Sequence, residues 1–274
     1  MGACNLCGGT RWETLEEVGA TRVVRCACGL VFVTPPPPRA ALEAAYDAAY
    51  YQPWEAEGRS RQRIWQRRMK LIDARVAAPG RLLDVGCGPG DFLEVARARR
   101  WQVTGTELSA HAVKTATARG LDVAHGEVWE AGLPPSAFDV ATSWHVIEHV
   151  ADPRRVLVEM HRVLRPGGWL VLATPNLDDR IFRAAYRLAR GRRPPLYELE
   201  EREIHLFHFS ARTLGALVAA AGFELVDVGS DRGAAASPAK RVVNEVAHAL
   251  CRVTGINWGM ALQLVARKPA AHAS

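Results

Sequence analysis

The chain has 274 residues, 49% hydrophobic and 23% charged, which suits a globular protein with one sizeable core and room for an appendage. No apolar run approaches the roughly 18 residues of a membrane span, the opening MGACNLCGGT lacks the regions of a secretion signal, and Leu6 stands where a myristoylation pattern needs Ser or Thr. The expected setting is therefore cytoplasmic and reducing, where clustered cysteines point to metal before disulfides, and a net charge of +6 suits anionic partners such as RNA, lipid head groups or acidic substrates.

In chain order, residues 1–34 form a cysteine module. Cys4 and Cys7 make a C-x-x-C knuckle and, after 18 residues, Cys26 and Cys28 make a C-x-C pair. Four thiolates at this spacing suit a structural Zn2+ tetrahedron, against four reduced cysteines or a redox pair, and a piece of this size has too little core to fold without a staple. Residues 35–79 begin with the stiff run Pro35 to Pro38 and continue as a helical stretch from Arg39 to Ala78. Trp65, Met69, Ile72 and Val76 recur there at helical spacing, and Pro79-Gly80 ends it.

Residues 80–269 alternate strand and helix: RLLDVG, DFLEVARARR, WQVTGTEL, SAHAVKTATARG, LDVAHG, FDVATSW and GWLVLATP. That alternation predicts an α/β fold with a doubly wound, mostly parallel sheet. Two inserts interrupt it. Residues 178–204 read as a basic amphipathic helix with a Pro-Pro linker, either a lid, a surface for anionic membrane or a solvated helix. Residues 231–257 read as a helix that caps the pocket or mediates dimerisation.

The stretch LLDVGCGPGDF carries the first chemistry. Gly86, Gly88 and Gly90 between a strand and a helix let backbone N–H groups and a helix N-terminus approach a ligand that side chains would block. A dinucleotide loop would want a third small residue at position 91, which is Asp91. Asp84 beside the loop suits an ammonium group, and Glu107 at the end of the next strand can accept from ribose hydroxyls. An amino-acid end plus a ribose end describes S-adenosylmethionine.

On these residues the chain resembles the class I S-adenosylmethionine-dependent methyltransferases over nearly its whole length. LLDVGCGPG is similar to the family's first motif, HGEV (His125 to Val128) to its adenine turn, FDVATSWHVIEHVADP to its fourth strand and following helix, and RVLRPGGWLVLATPN to its fifth strand. The likeness is strongest to a subgroup with the ubiquinone-pathway O-methyltransferase and natural-product and sugar methyltransferases, several of which carry an N-terminal cysteine module and a Tyr-rich stretch, as at Tyr46, Tyr50 and Tyr51. It implies a seven-stranded sheet and cofactor contacts from Asp84, Gly86, Cys87, Gly88, Gly90, Phe92, Glu107, Leu108, Glu127, Val128 and Trp144. It also implies a one-step methyl displacement onto a small molecule, with a base wanted where the acceptor is a hydroxyl.

His145 and His149 beyond the fourth strand, and His205 and His208 in HLFHFS, are the candidate bases, each able instead to be a packed histidine. In metal-dependent relatives the segment matching IEH can help bind a divalent cation, a role open to Glu148 and His149. The alternatives are an RNA base methyltransferase using the cysteine module on RNA, and a non-catalytic scaffold that keeps the cofactor fold. Against the first, no N-P-P-[YF] tetrad is present.

Overall fold

In the computed structural model, which describes residues 2–56, 58–197, 204–231, 238–255 and 257–270, the apolar runs become strands and the amphipathic runs pack beside them. The N-terminal elements are β1 (Trp12–Val18), β2 (Thr21–Cys26), β3 (Val31–Thr34), α1 (Arg39–Ala45), α2 (Ala48–Ala56) and α3 (Gly58–Asp73). Then follow β4 (Arg81–Val85), α4 (Asp91–Ala98), β5 (Gln102–Glu107), α5 (Ala110–Ala118), β6 (Asp122–His125), β7 (Phe138–Trp144), α6 (Pro153–Val163) and β8 (Leu164–Pro175). The chain continues with α7 (Arg180–Arg190), β9 (Phe207–His208), α8 (Ala211–Ala220), β10 (Glu224–Ser230), α9 (Pro238–Thr254) and β11 (Ala261–Arg267).

Seven strands form the expected sheet in the order β10-β11-β8-β7-β4-β5-β6. The five from β8 to β6 are parallel, and β11 runs antiparallel between β10 and β8. The strand order reverses between β4 and β7, and open α/β sheets place their ligand crevice at the carboxyl ends of strands at such a point. Strands β4 and β7 are buried along almost their whole length because helices cover both faces.

The cysteine module is joined to this body by a second sheet, β1-β2-β3-β9, whose last strand comes from residues 207–208. Val31 pairs with His208 and Phe32 with Phe207, and the Val33 N–H donates to the Leu206 carbonyl at 2.9 Å. Phe32 is wholly buried, edge-on to Trp12 at 5.6 Å and 6.2 Å from Phe207. One apolar cluster therefore runs from Val23 and Phe32 into Ile147, Phe209 and Leu214 of the main body.

Two local expectations need correction. The stretch from Arg39 to Ala78 is three helices, because the Asp47 carboxylate accepts the Tyr50 N–H at 3.0 Å and starts a new helix, and because the last helix stops at Asp73. No helix follows β7 directly. His145 has a left-handed backbone (φ 58°), residues 147–149 form a turn, and α6 begins only at Pro153, capped by Asp152 accepting from the Arg155 N–H. Each insert contains its helix, α7 and α9; the insert residues 198–203, 232–237 and 256 lie outside the described residues. No helix among the described residues is long and apolar enough to cross a membrane.

Candidate active site

The turn from β4 into α4 builds one wall of a cavity of about 710 Å³, within the usual range for small-molecule sites. Gly86 (φ +71°) and Gly88 (φ +54°) take backbone shapes that side chains resist, and a Cβ on Gly86 would sit 2.4 Å from the Val146 side chain. The Gly86 and Cys87 N–H groups donate to the Thr106 carbonyl, at 2.8 and 3.1 Å, which fixes the loop against the end of β5. Gly88 faces open space beside Tyr51, whose nearest ring carbon is 3.5 Å from where its Cβ would be.

Two buried carboxylates face this cavity. Asp84 accepts from the Thr142 hydroxyl at 2.6 Å, and burial pushes its carboxyl up to about 7. Glu107 accepts the Gly88 N–H on Oε2 at 2.9 Å and the Ser109 N–H on Oε1 at 2.8 Å, and burial raises its pKa as well. The Tyr51 hydroxyl also donates to Oε1 at 3.5 Å, so Oε2 is the oxygen with a second lone pair for a ligand donor. Glu127, raised by burial, and Val128 line the same space from the turn after β6, with Cys87, Phe92, Leu108 and Trp144. Carboxylates that are costly to ionise in the dry site suit a ligand bringing a positive charge and hydroxyl donors. The residues present therefore fit S-adenosylmethionine.

Along the same cavity an ion chain runs through four residues, of which Arg68, Asp231 and Glu148 are buried and His145 is partly exposed. Arg68 on α3 meets Asp231, after β10, at 2.8 Å, with its guanidinium 4.3 Å from the Trp144 ring centre and 4.8 Å from that of Trp65. Asp231 reaches His145 Nε2 at 3.4 Å, and His145 Nδ1 lies 3.5 Å from Glu148 Oε1. Burial opposes charge on the His145 ring, but Asp231 and Glu148 outweigh it and push the ring up to about 9. Against the opposing effect of burial, His145 holds Glu148 down to about 2, and Arg68 with His145 holds Asp231 well below the usual carboxylate range. The Thr174 hydroxyl donates to the second oxygen of Glu148 at 2.9 Å.

His149 Nδ1 is 2.8 Å from the Ile204 carbonyl, and its ring lies 4.8 Å from that of His205. Burial lowers the pKa of His205. Ligating atoms of Glu148, His149 and His205 all lie within 4.8 Å of one another. The cavity thus gathers His145, His149 and His205, together with every expected cofactor residue except Gly90. Gly90 instead allows close packing, since a Cβ there would lie 2.2 Å from Leu121 Cδ1. His208 sits outside the lining on β9, where burial drives it down to about 3.

Sequence reasoning missed Arg68 and Asp231 as site residues. It also assigned no role to the three tyrosines, although Tyr46, Tyr50 and Tyr51 all line the cavity. Their clustering was the available signal. In the module, Cys4 Sγ is 3.6 Å from Cys28 Sγ and Cys7 Sγ is 3.5 Å from Cys26 Sγ, with all four within 4.8 Å of one another. A Zn–S distance near 2.3 Å in a tetrahedron requires S···S separations of about 3.8 Å, so the four thiols fit such an ion.

A family model described as "Methyltransferase domain" matches residues 58–228. A probable S-adenosylmethionine-dependent methyltransferase of Mycolicibacterium smegmatis is 33% identical over 175 residues, covering 62% of this chain and 63% of that protein, just under two thirds of its length. A ubiquinone biosynthesis O-methyltransferase of Pseudomonas entomophila is 31% identical over 197 residues, 68% of this chain and 83% of that one. Among solved structures, a Burkholderia thailandensis 1,6-didemethyltoxoflavin-N1-methyltransferase bound to its substrate and S-adenosylhomocysteine superposes with TM-score 0.60, covering 94% of this chain and 99% of that one. At 17% identity, that likeness speaks for the fold alone.

Proposed function

The chain belongs to the S-adenosylmethionine-dependent methyltransferase family, and from that premise we propose that it methylates a hydroxyl of a small molecule in quinone, natural-product or sugar biosynthesis, with His149 as general base. The observation that carries the choice of base is the 2.8 Å contact from His149 Nδ1 to the Ile204 carbonyl. A carbonyl only accepts, so Nδ1 bears the hydrogen, and the uncharged ring carries its basic lone pair on Nε2, which lies 3.9 Å from Glu148 Oε1. His145 is a poor base, because its two carboxylate neighbours keep it protonated at neutral pH. His208 lies outside the cavity. The relative named as a ubiquinone biosynthesis O-methyltransferase supports oxygen as the acceptor atom.

When bound, S-adenosylmethionine supplies a sulfonium-activated methyl group. Asp84 would hold its ammonium end, Glu107 its ribose hydroxyls, and Glu127 with Val128 its adenine. His149 takes the acceptor's proton, with His205 packed beside it, while Tyr46 and Trp144 exclude water from the reacting centre. The cysteine module would hold a structural Zn2+ through Cys4, Cys7, Cys26 and Cys28. Protein fills all four ligand positions, which leaves no open coordination site for catalysis.

His149→Gln tests the assignment. It should lower kcat by about 10²- to 10⁴-fold and leave S-adenosylmethionine affinity within twofold. Undiminished kcat would remove His149 from the base role.

A further inference from the structure

Helix α9 has an inner face and an uncovered apolar one. Ala247 and Cys251 are buried on the inner side, where a Cβ on Gly259 would lie 3.5 Å from the Ala247 Cβ. On the outer side Val242 is 64% exposed, Val246 52% and Val253 86%, and Ala249 between them is exposed as well. Five of the eight large apolar side chains exposed among the described residues lie on α9 or on the edge strand β10, which adds Leu225 and Val226. Single exposed apolar residues need no explanation, but a row of them marks a contact surface.

The row is regular. Val242, Val246, Ala249 and Val253 follow one another at spacings of four, three and four residues, those of the seam between two paired helices. At about 100° per residue the four fall within an arc of about 60°. None of the described residues of α9 lines the candidate active-site cavity, so capping the pocket does not account for the stripe. Glu245 and Arg252 stand seven residues apart along one edge of it, both exposed. The contact Glu245 makes with Arg67, at 3.8 Å between exposed side chains, holds it only weakly.

We propose that α9 is the contact face of a two-fold dimer, in which two copies of this chain pair their α9 helices antiparallel through the valine stripe. In that register Val242 meets the partner's Val253 and Val246 meets the partner's Ala249. Glu245 then faces the partner's Arg252, and the two-fold axis repeats the pair. In a parallel arrangement Glu245 would face the partner's Leu250, and no charge would be matched. An unrelated apolar helix would cover the valines alone, whereas a second copy satisfies the stripe and both charges. The pairing does not depend on the methyl-transfer reading.

The test is analytical ultracentrifugation of the full chain over a concentration series. One pair of helices makes an interface below standard size, so the average mass should rise from one chain toward two between about 1 and about 200 µM. Val246→Asp and Val253→Asp should each keep the chain monomeric throughout. Neither should change the melting temperature of the dilute protein or its S-adenosylmethionine affinity, because both valines are exposed in the single chain. Glu245→Arg and Arg252→Glu should each weaken the dimer about fivefold, and the two together should restore it. A mass that stays at one chain across the series, dimers undiminished by Val246→Asp, or a charge-swapped protein that fails to recover would each overturn the proposal. So would a chain that is monomeric alone and covers the stripe only with a different protein.

Discussion

Glu107→Gln is the sharpest probe of the cofactor site. Each oxygen of the carboxylate accepts a fixed backbone donor, Gly88 N–H at 2.9 Å and Ser109 N–H at 2.8 Å, Oε1 also takes the Tyr51 hydroxyl at 3.5 Å, and ligand hydroxyls would use the accepting capacity that remains. A glutamine puts an NH2 group where one oxygen stood. Either orientation sets that group against a backbone N–H and removes an acceptor facing the ribose. A hydrogen bond to a charged group contributes about 1.5–3 kcal/mol, so losing one weakens S-adenosylmethionine binding about 10- to 100-fold. The fold itself should change little, since burial already disfavours the ionised carboxylate and the neutral amide relieves that cost against the new N–H clash. Titration calorimetry at neutral pH, with a melting curve of the ligand-free protein, separates the two effects. An affinity within twofold of the parent would refute Glu107 as the ribose acceptor.

The remaining predictions concern pH, metal and the module. Asp84 has its carboxyl raised to about 7 by burial, so its contribution to stability is complete below its ordinary pKa and is lost as pH rises through about 7. The ligand-free protein should therefore melt lower at pH 8 than at pH 5 by more than Asp84→Asn does, and parallel curves for the two proteins would count against the buried carboxylate. Purified protein should carry one zinc per chain by elemental analysis. Cys26→Ser, which removes a buried thiol, should lose that zinc and expose β1 to β3 to protease, and full retention of metal would reject the four-cysteine site. Phe32→Ala should cost about 3–5 kcal/mol, a usual figure for truncating a buried aromatic, and should lower activity as well, because its strand pairs with the segment that follows His205. Stability lost with activity unchanged would show that the module does not shape the site.

The cavity wall that carries Asp84, the glycine loop and Glu107 was legible in the sequence because its signals are local. A strand ending in Asp84, three glycines, a helix start and Glu107 at the end of the next strand dictate their mutual geometry with little help from the rest of the chain. The wall with Arg68, Asp231 and His205 was not, because it is assembled across long separations. Arg68 and Asp231 are 163 residues apart and meet only when α3 and β10 pack on the same end of the sheet. His205 reaches His149 because β9 leaves the main body to pair with β3, a pairing that two residues of strand cannot announce. The stretch after β7 carries an apolar, helix-like pattern, yet His145 adopts a left-handed backbone and forces a turn. Asp47 likewise has a capping role that outweighs the helical periodicity around it.

The central claim is methyl transfer to a hydroxyl of a small molecule, and incubation with methyl-labelled S-adenosylmethionine and an extract of the source cells tests it most directly. The predicted result is label in the small-molecule fraction, in a product that behaves as a methyl ether and fails to form with His149→Gln. Label confined to RNA or protein, or a product methylated on nitrogen or carbon, would contradict it.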